Sequence, residues 1–222
     1  MEDFNTTEQN NSEGFSVDTS NLENLEETAE EKISTKKTLA EEVFDWVDMV
    51  AFAVIAVVII FSLVFRVATI SGPSMQNTLH SGEQIIITNF AYEPKQGDIV
   101  VVSRNTLNSA ADTEDEGPII KRVIAVGGQT VDIDFEEGIV YVDGVALKED
   151  YISTPTTRKF EVDFPVYVPE GNIFVLGDNR GNSLDSRSDR IGENGLIDTR
   201  YVLGHAIFRF LPFDRIGRLD NK

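Results

Sequence analysis

One apolar segment limits what this chain can fold into more than any other feature. Residues Met49–Phe65 form seventeen consecutive positions without a charge. As a helix they would extend about 26 Å, close to the thickness of a bilayer hydrocarbon core of about 30 Å. A capping-box pattern, Thr38-Leu-Ala-Glu41, marks where such a helix would begin. The sequence therefore predicts a helix over residues 38–70, with a membrane-spanning part at about 47–68.

A cleaved secretory signal is the alternative interpretation of an apolar run near an N-terminus. Ala68 lies where a small residue would precede the cut. A signal sequence has a short basic lead and an apolar core of about 7 to 15 residues. Here the 48 residues that precede Met49 are acidic and the apolar core is seventeen residues long, so we expect a permanent anchor.

The segment before the anchor is acidic and poor in bulky apolar residues. Residues 1–48 carry 14 acidic and three basic side chains, and the whole chain has a formal charge of −19. We predict that residues 1–37 are a disordered tail, because so few apolar groups cannot offset the entropy lost on ordering. Three lysines precede the anchor and Arg66 follows it. This bias predicts a single-pass protein of the cell membrane, with its N-terminus in the cytoplasm and residues 71–222 outside.

The charge balance and the absence of cysteine exclude several functional classes. No run of Lys and Arg offers the clustered positive charge that nucleic acid phosphates require, so we expect no nucleic acid partner. A chain without cysteine has no disulfide, no thiolate metal site and no cysteine nucleophile.

Beyond Ile70 the sequence is typical of a β-rich domain. Short runs of Val, Ile, Phe and Tyr are separated by Gly, Asp and Pro, and no long amphipathic helical pattern interrupts them. We therefore predict a mainly β domain over residues 71–222. The predicted strands are Gln84–Asn89, Asp98–Ser103, Ile119–Val126, Thr130–Phe135, Gly138–Val142, Asn172–Leu176 and Val202–Phe210. The polar, acidic stretch Asn105–Pro118 predicts an exposed loop.

Ser74 follows the anchor closely and is a candidate nucleophile. A serine hydroxyl needs a neighbouring base to accept its proton. The two histidines, His80 and His205, show no pattern typical of a Ser-His-Asp triad. Of eight lysines, only Lys121 lies within an apolar strand-like run, Ile119-Ile-Lys-Arg-Val-Ile124. Burial would lower the pKa of its ammonium group, so we predict that Lys121 is the base.

These residues also have simpler interpretations. A lone lysine in a strand commonly extends its charged end into water, and a serine in a Gly-Pro turn needs no function. The polar run Gly177–Arg187 is compatible with an ordinary turn or with a calcium loop. Its spacing departs from the calcium-binding pattern, because Arg180 and Gly181 occupy the third and fourth positions counted from Asp178.

Four motifs occur together, and their order is informative. They are Ser71-Gly-Pro-Ser-Met75, Gly97-Asp-Ile-Val-Val-Val102, Lys121-Arg122 with Gly127-Gly128, and Gly177-Asp-Asn-Arg-Gly-Asn-Ser-Leu-Asp-Ser-Arg187. In this order and spacing the chain, from about Val43 to Phe213, resembles bacterial type I signal peptidases, the leader peptidases of peptidase family S26. Glycine at position 72 is similar to the Gram-positive branch.

The resemblance implies a signal-peptidase-like antiparallel β catalytic domain with one N-terminal transmembrane helix. It implies a serine endopeptidase with a Ser–Lys dyad that removes signal peptides from secreted preproteins at small-X-small junctions such as Ala-X-Ala. It also implies that no metal or cofactor is required. The expected partners are preproteins, membrane lipid and the secretion translocon.

The resemblance also assigns roles to individual residues. Ser74 matches the nucleophile, Lys121 the general base, and Ser183 the hydroxyl that orients the lysine. The supporting positions are Met75 in the binding-site segment and four charged residues expected to form Asp–Arg pairs, Arg122, Asp178, Asp185 and Arg187. The backbone amide of Ser74 is the expected oxyanion donor. Some members carry a serine where this chain has Gly72, so a second donor is missing at that position.

Two rival functions remain open from the sequence. A membrane-anchored extracellular β-domain that binds a partner without catalysis would have the same anchor and composition. A self-cleaving Ser–Lys protease of the repressor type would share the dyad, although this chain offers no DNA-binding segment. Phe208, Phe210 and Phe213 are compatible either with an apolar rim in contact with lipid or with a core strand.

Overall fold

A computed structural model describes residues 38–103 and 118–219, and it contains one long helix. The chain divides into two compact units, residues 1–55 and 56–222. The predicted tail over residues 1–37 and most of the predicted loop Asn105–Pro118 lie outside the described residues.

Helix α1, Leu39–Val64, begins at the predicted capping box. The Thr38 amide donates to Glu41 Oε2 at 2.8 Å, and the Glu41 amide donates to Thr38 Oγ1 at 3.3 Å. These two bonds satisfy backbone donors that a helix start leaves without intrahelical partners. The helix buries none of its residues, and among the described residues it alone is long and apolar enough to cross a membrane.

The prediction of a helix over residues 38–70 is wrong for its last part. The helix ends at Val64, and Phe65–Thr69 form strand β1. Each residue of β1 pairs with a residue of strand β2, Gln84–Thr88, from Phe65 opposite Thr88 to Thr69 opposite Gln84. Backbone pairing with a strand farther along the chain therefore decides the conformation of these residues, which directly follow the apolar run and contain no Gly or Pro.

The larger sheet is antiparallel throughout, with the strand order β1-β2-β11-β3-β4-β9-β10 and with β12 paired to β11. Its strands are β1 Phe65–Thr69, β2 Gln84–Thr88, β3 Ile99–Val102, β4 Ile119–Val126, β9 Asn172–Leu176, β10 Ile197–Asp198, β11 Val202–Leu211 and β12 Gly217–Arg218. The predicted bounds of β4 and β9 are confirmed, and those of β2, β3 and β11 differ by a residue at one or both ends.

The smaller sheet has four strands in the order β7-β6-β5-β8 and is also antiparallel. Its strands are β5 Thr130–Asp134, β6 Ile139–Val142, β7 Val145–Ala146 and β8 Val166–Tyr167. Asp143 and Gly144, which join β6 to β7, have φ values of 52° and 77°. Positive φ at both positions is what a tight type I′ hairpin requires, and Asp-Gly is a preferred pair for it.

The described residues form three buried apolar clusters, and the first of these joins the two sheets. One cluster packs the smaller sheet against β4 and β9 through residues such as Val131, Val140 and Phe174. A second includes Met75, Leu79 and Ile120, and it joins the segment after β1 to the larger sheet. The third lies along β3, β4, β9 and β10. The prediction of a mainly β, antiparallel domain with one N-terminal apolar helix is confirmed.

Candidate active site

Ser74 lies in a short segment that is fixed at both ends between β1 and β2. The Ile70 amide donates to the Glu83 carbonyl, and the Gly82 amide donates to the Ile70 carbonyl, each at 2.9 Å. Met75 and Leu79 are fully buried in the second apolar cluster. These apolar side chains anchor the segment in the core, and Ser74, which directly precedes Met75, remains half-buried and accessible.

Lys121 lies in β4, flanked by β3 and β9, and its side chain reaches Ser74. It pairs with Val100 across the sheet and is 4% exposed. Its Nζ is 3.0 Å from Ser74 Oγ and 3.0 Å from the Ile120 carbonyl oxygen. The structure therefore brings together the two residues that the sequence predicted as nucleophile and base.

Burial changes the acidity of the Lys121 side chain. Loss of hydration lowers the pKa of Lys121 from 10.5 to about 8, while the nearby Asp185 and Asp178 carboxylates partly oppose this shift. Desolvation disfavours a charged amine, and neighbouring negative charges favour it. Near neutral to mildly alkaline pH the amine consequently has a substantial neutral fraction that can accept a proton.

The predicted aspartates and arginines form two buried ion pairs. Arg122 donates from Nε and Nη2 to the two oxygens of Asp178 at 2.8 and 2.7 Å. Arg187 donates to the two oxygens of Asp185 at 2.8 and 2.9 Å. Bidentate pairs of this kind fix geometry, and breaking one inside a core leaves a charge without compensation. Since both carboxylates are held by arginines, they are not arranged as a calcium loop.

The turn after β9 joins these pairs to the nucleophile segment. The Asn179 amide donates to the Ser74 carbonyl at 3.0 Å, and Thr78 Oγ1 donates to Asp178 Oδ2. Gly177 packs so closely against both segments that a Cβ added there would be 2.2 Å from Ser183 Oγ and 2.6 Å from the Ser74 carbonyl oxygen. Only glycine fits at this approach without displacing its neighbours.

Ser183 lies beside the site but without the predicted hydrogen bond to Lys121. Its side chain is buried, and its Oγ has no hydrogen-bond partner among the described residues. Its place beside Gly177 and the Ser74 carbonyl is consistent with a role in the site. The orienting role of Ser183 stays a prediction.

The backbone around Ser74 bears on the predicted oxyanion donors. Within the described residues no acceptor is recorded for the Ser74 amide, so this N–H is available to a substrate oxygen. Gly72 has φ of +80°, a left-handed conformation that favours glycine over the serine found in some members of the resembling family. An added Cβ at Gly72 would meet open space.

The two histidines take part in other contacts. His80 Nδ1 contacts Arg215, and His205 stacks on the ring of Tyr92 with centroids 4.1 Å apart. Within residues 38–103 and 118–219 neither histidine is recorded as a hydrogen-bond partner of Ser74. A Ser-His-Asp triad is therefore not the arrangement found here.

Sequence reasoning missed a further group of charged residues, centred on Glu83, that contacts the segment containing Ser74. Glu83 is buried and forms ion pairs with Arg209 at 3.2 Å and with Arg215. Arg209 also donates to the Thr78 carbonyl at 2.9 Å. The signal in the sequence was an arginine between two phenylalanines in the predicted strand Val202–Phe210, where a charge needs a partner.

Comparison with known proteins decides the family. The model of the family described as "Signal peptidase, peptidase S26" matches residues 43–211. The chain belongs to this family. It is 34% identical to the signal peptidase I of Bacillus licheniformis over 201 residues, which is 86% of this chain and 99% of that protein. It is 38% identical to the probable signal peptidase I-1 of Synechocystis sp. over 173 residues, which is 75% of this chain and 83% of that protein.

A solved structure also matches, a signal peptidase I from Enterococcus faecalis V583. It is 28% identical, has a TM-score of 0.39, and covers 51% of this chain and 97% of the other. The resemblance predicted from the four motifs is confirmed by the family match and the relatives. As a member of the S26 signal peptidases, the chain is a serine peptidase that removes signal peptides. The two rival functions, a non-catalytic binding domain and a repressor-type protease, are therefore set aside.

Proposed function

We propose that Ser74 and Lys121 form a Ser–Lys dyad that cleaves signal peptides from secreted preproteins at small-X-small junctions. The observation that carries the proposal is the 3.0 Å contact between Ser74 Oγ and the buried amine of Lys121. A lysine without water around it can act as a base, and its partner is a serine that is accessible from outside. The remaining supporting roles are those predicted for Met75, Ser183 and the two Asp–Arg pairs.

The reaction needs only a proton carrier and an oxyanion donor. Neutral Lys121 Nζ accepts the Ser74 proton while Oγ attacks the carbonyl carbon at the junction. The Ser74 amide donates to the oxygen that becomes negative. The resulting Lys121 ammonium gives its proton to the leaving amine, and the mature protein departs. Water then attacks the acyl carbon while Lys121 Nζ accepts the water proton, and Lys121 gives this proton to Ser74 Oγ as the ester bond breaks and the free signal peptide is released.

The lowered pKa of Lys121 is what makes this chemistry effective. A shift from 10.5 to about 8 raises the neutral fraction at pH 8 from about 0.3% to about half. Without burial, the amine would be almost entirely protonated and unable to accept the serine proton. Asp178 and Asp185 would raise the Lys121 pKa again, but each carboxylate is compensated by the guanidinium group of its own arginine, which limits this increase.

The membrane location and the substrate selectivity extend the same proposal. Helix α1 would cross the cell membrane once, with its N-terminus in the cytoplasm and the β domain outside. An extended preprotein segment would pair with a strand edge, and small side chains would be selected because larger ones clash in shallow pockets. Phe213 is 79% exposed, whereas Phe208 and Phe210 are half-buried, so Phe213 is the main candidate for lipid contact. The secretion translocon is the expected source of the preproteins.

The test is cleavage of a preprotein with an Ala-X-Ala junction by the full chain in liposomes. Ser74→Ala and Lys121→Ala should each abolish cleavage at the junction. Ser81→Ala and Lys148→Ala are matched controls, because both residues are exposed and lie outside the dyad, and they should cleave like the native chain. Retained cleavage in either dyad variant would refute the proposed roles, and cleavage at junctions with large side chains would refute the proposed selectivity.

A further inference from the structure

A buried network beside the site connects the two arginines that hold the turn after β9. Arg122 holds the carboxylate of Asp178, as described above. Arg180 donates from Nε to the Gly177 carbonyl at 3.0 Å and pairs with the Glu149 carboxylate. The two arginines therefore fix neighbouring residues of the same turn. This turn supplies the amide that binds the Ser74 carbonyl.

Tyr151 is the residue that contacts both halves of this network. Its ring lies 4.0 Å from Cζ of Arg122, in a cation–π contact. Its hydroxyl donates to Glu149 Oε1 at 2.9 Å, and Glu149 in turn binds Arg180. Burial first, and the Glu149 carboxylate second, raise the pKa of Tyr151, so this hydroxyl stays protonated and remains a donor.

The ring of Tyr151 covers the flat face of the Arg122 guanidinium group, which cannot donate hydrogen bonds. The edge of the Arg122 guanidinium group donates to Asp178 and to the Gly97 carbonyl, while its flat face has no donor to offer. An aromatic ring on that face excludes water and attracts the cation. Exclusion of water strengthens the Arg122–Asp178 pair, because the effective dielectric around the two charges falls.

We propose that Tyr151 is a positioning residue for the Ser–Lys dyad, acting through Arg122 and Asp178. The inference rests on the dyad of the proposed function and deepens it. Arg122 follows Lys121 in β4, and Asp178 is one of the two carboxylates that act on the Lys121 amine, the other being Asp185 with its partner Arg187. Without the ring of Tyr151, the Arg122 side chain would be held less firmly. More of the Asp178 charge would then be uncompensated, and the turn that binds the Ser74 carbonyl would shift.

The test compares two variants of Tyr151 in the full chain, in liposomes, with a preprotein carrying an Ala-X-Ala junction. Tyr151→Leu removes the ring, and we expect kcat to fall at least about tenfold with KM within about twofold of the native value. The acid limb of the kcat/KM profile should move to higher pH, since the Asp178 charge then favours the protonated amine. Tyr151→Phe keeps the ring, and its kcat should stay within about threefold of native.

Controls separate this inference from the proposed function and from loss of folding. Tyr141→Leu changes a half-buried tyrosine on β6 and should leave kcat within about twofold of native. Ser74→Ala, measured alongside, must be inactive; activity in that variant would refute the dyad and not the role of Tyr151. The role of Tyr151 is refuted if Tyr151→Leu matches Tyr141→Leu, or if its rate falls while the acid limb stays in place.

A second variant keeps the inference testable if Tyr151→Leu does not fold, as judged by its thermal unfolding. Glu149→Gln preserves size but weakens the pair with Arg180 and the bond from Tyr151. We expect its kcat to fall at least about threefold with a cooperative unfolding transition retained. Native kcat and a native pH profile in this variant would overturn the inference.

Discussion

Acidification offers the sharpest test of Lys121 as the general base. Under the proposed mechanism, the kcat/KM of the free enzyme should follow the fraction of Lys121 that is neutral and should fall as pH falls through the Lys121 pKa of about 8. About half of the amine is neutral at pH 8 and about 1% at pH 6, so kcat/KM should drop about fiftyfold between these values.

A histidine base would behave differently over the same range. With an ordinary pKa of about 6.5, a histidine loses only about fourfold of its neutral form between pH 8 and pH 6. The assay is the initial rate of cleavage of an Ala-X-Ala peptide at concentrations far below KM, by the full chain in liposomes of uncharged lipid. Circular dichroism at each pH serves as the control for folding. A fall near fourfold, or a flat profile, would refute the lysine assignment and the burial argument behind it.

Two further predictions concern the cost of building this site. Lys121→Met should abolish cleavage and yet stabilise the fold by about 3 kcal/mol below pH 8, because the depressed pKa of the native lysine destabilises the folded state there. That gain should shrink as pH rises from about 8 towards 10.5, and unfolding in urea at several pH values measures it; a gain that grows with pH would contradict the sign. Gly177→Ala should lower kcat at least about tenfold, since the new Cβ would meet Ser183 Oγ and the Ser74 carbonyl oxygen. Gly217→Ala, where a Cβ meets open space and the backbone is not left-handed, is its control, and equal cleavage rates for the two variants would disprove the crowding argument.

The parts of the molecule that the sequence predicted are those with a strong local pattern. The run Ile119–Val126 is apolar, short and bounded by Pro118 and Gly127, and the structure places β4 there. The capping box and the Asp143-Gly144 turn also depend on neighbouring residues alone, and both are found. Lys121 stands out within this run because a charged residue is unusual among buried apolar ones, and its contact with Ser74 explains its presence.

The parts that the sequence did not predict depend on partners far along the chain. Residues Phe65–Thr69 follow the apolar run directly and contain no Gly or Pro that would end a helix, so only their pairing with β2 reveals a strand. Arg180 and Glu149 lie 31 positions apart, and neither has a local pattern that indicates a buried ion pair. Ser183 was predicted to bond Lys121, and the structure instead places its hydroxyl beside Gly177 without a partner among the described residues.

With Lys121 as the proposed base, its adjacency to Arg122 in β4 would tie proteolytic activity to correct strand pairing. In the native register Lys121 lies opposite Val100 and Arg122 opposite Ile99. A slip of one residue sends every side chain of a strand to the opposite face. The guanidinium group would then stand where the amine belongs, and an arginine does not give up its proton in a protein. A mispaired molecule would be inert, so hydrolysis could begin only after the strand had found its proper neighbours. For an enzyme that cuts other proteins, this coupling acts as a safeguard against premature or misplaced cleavage.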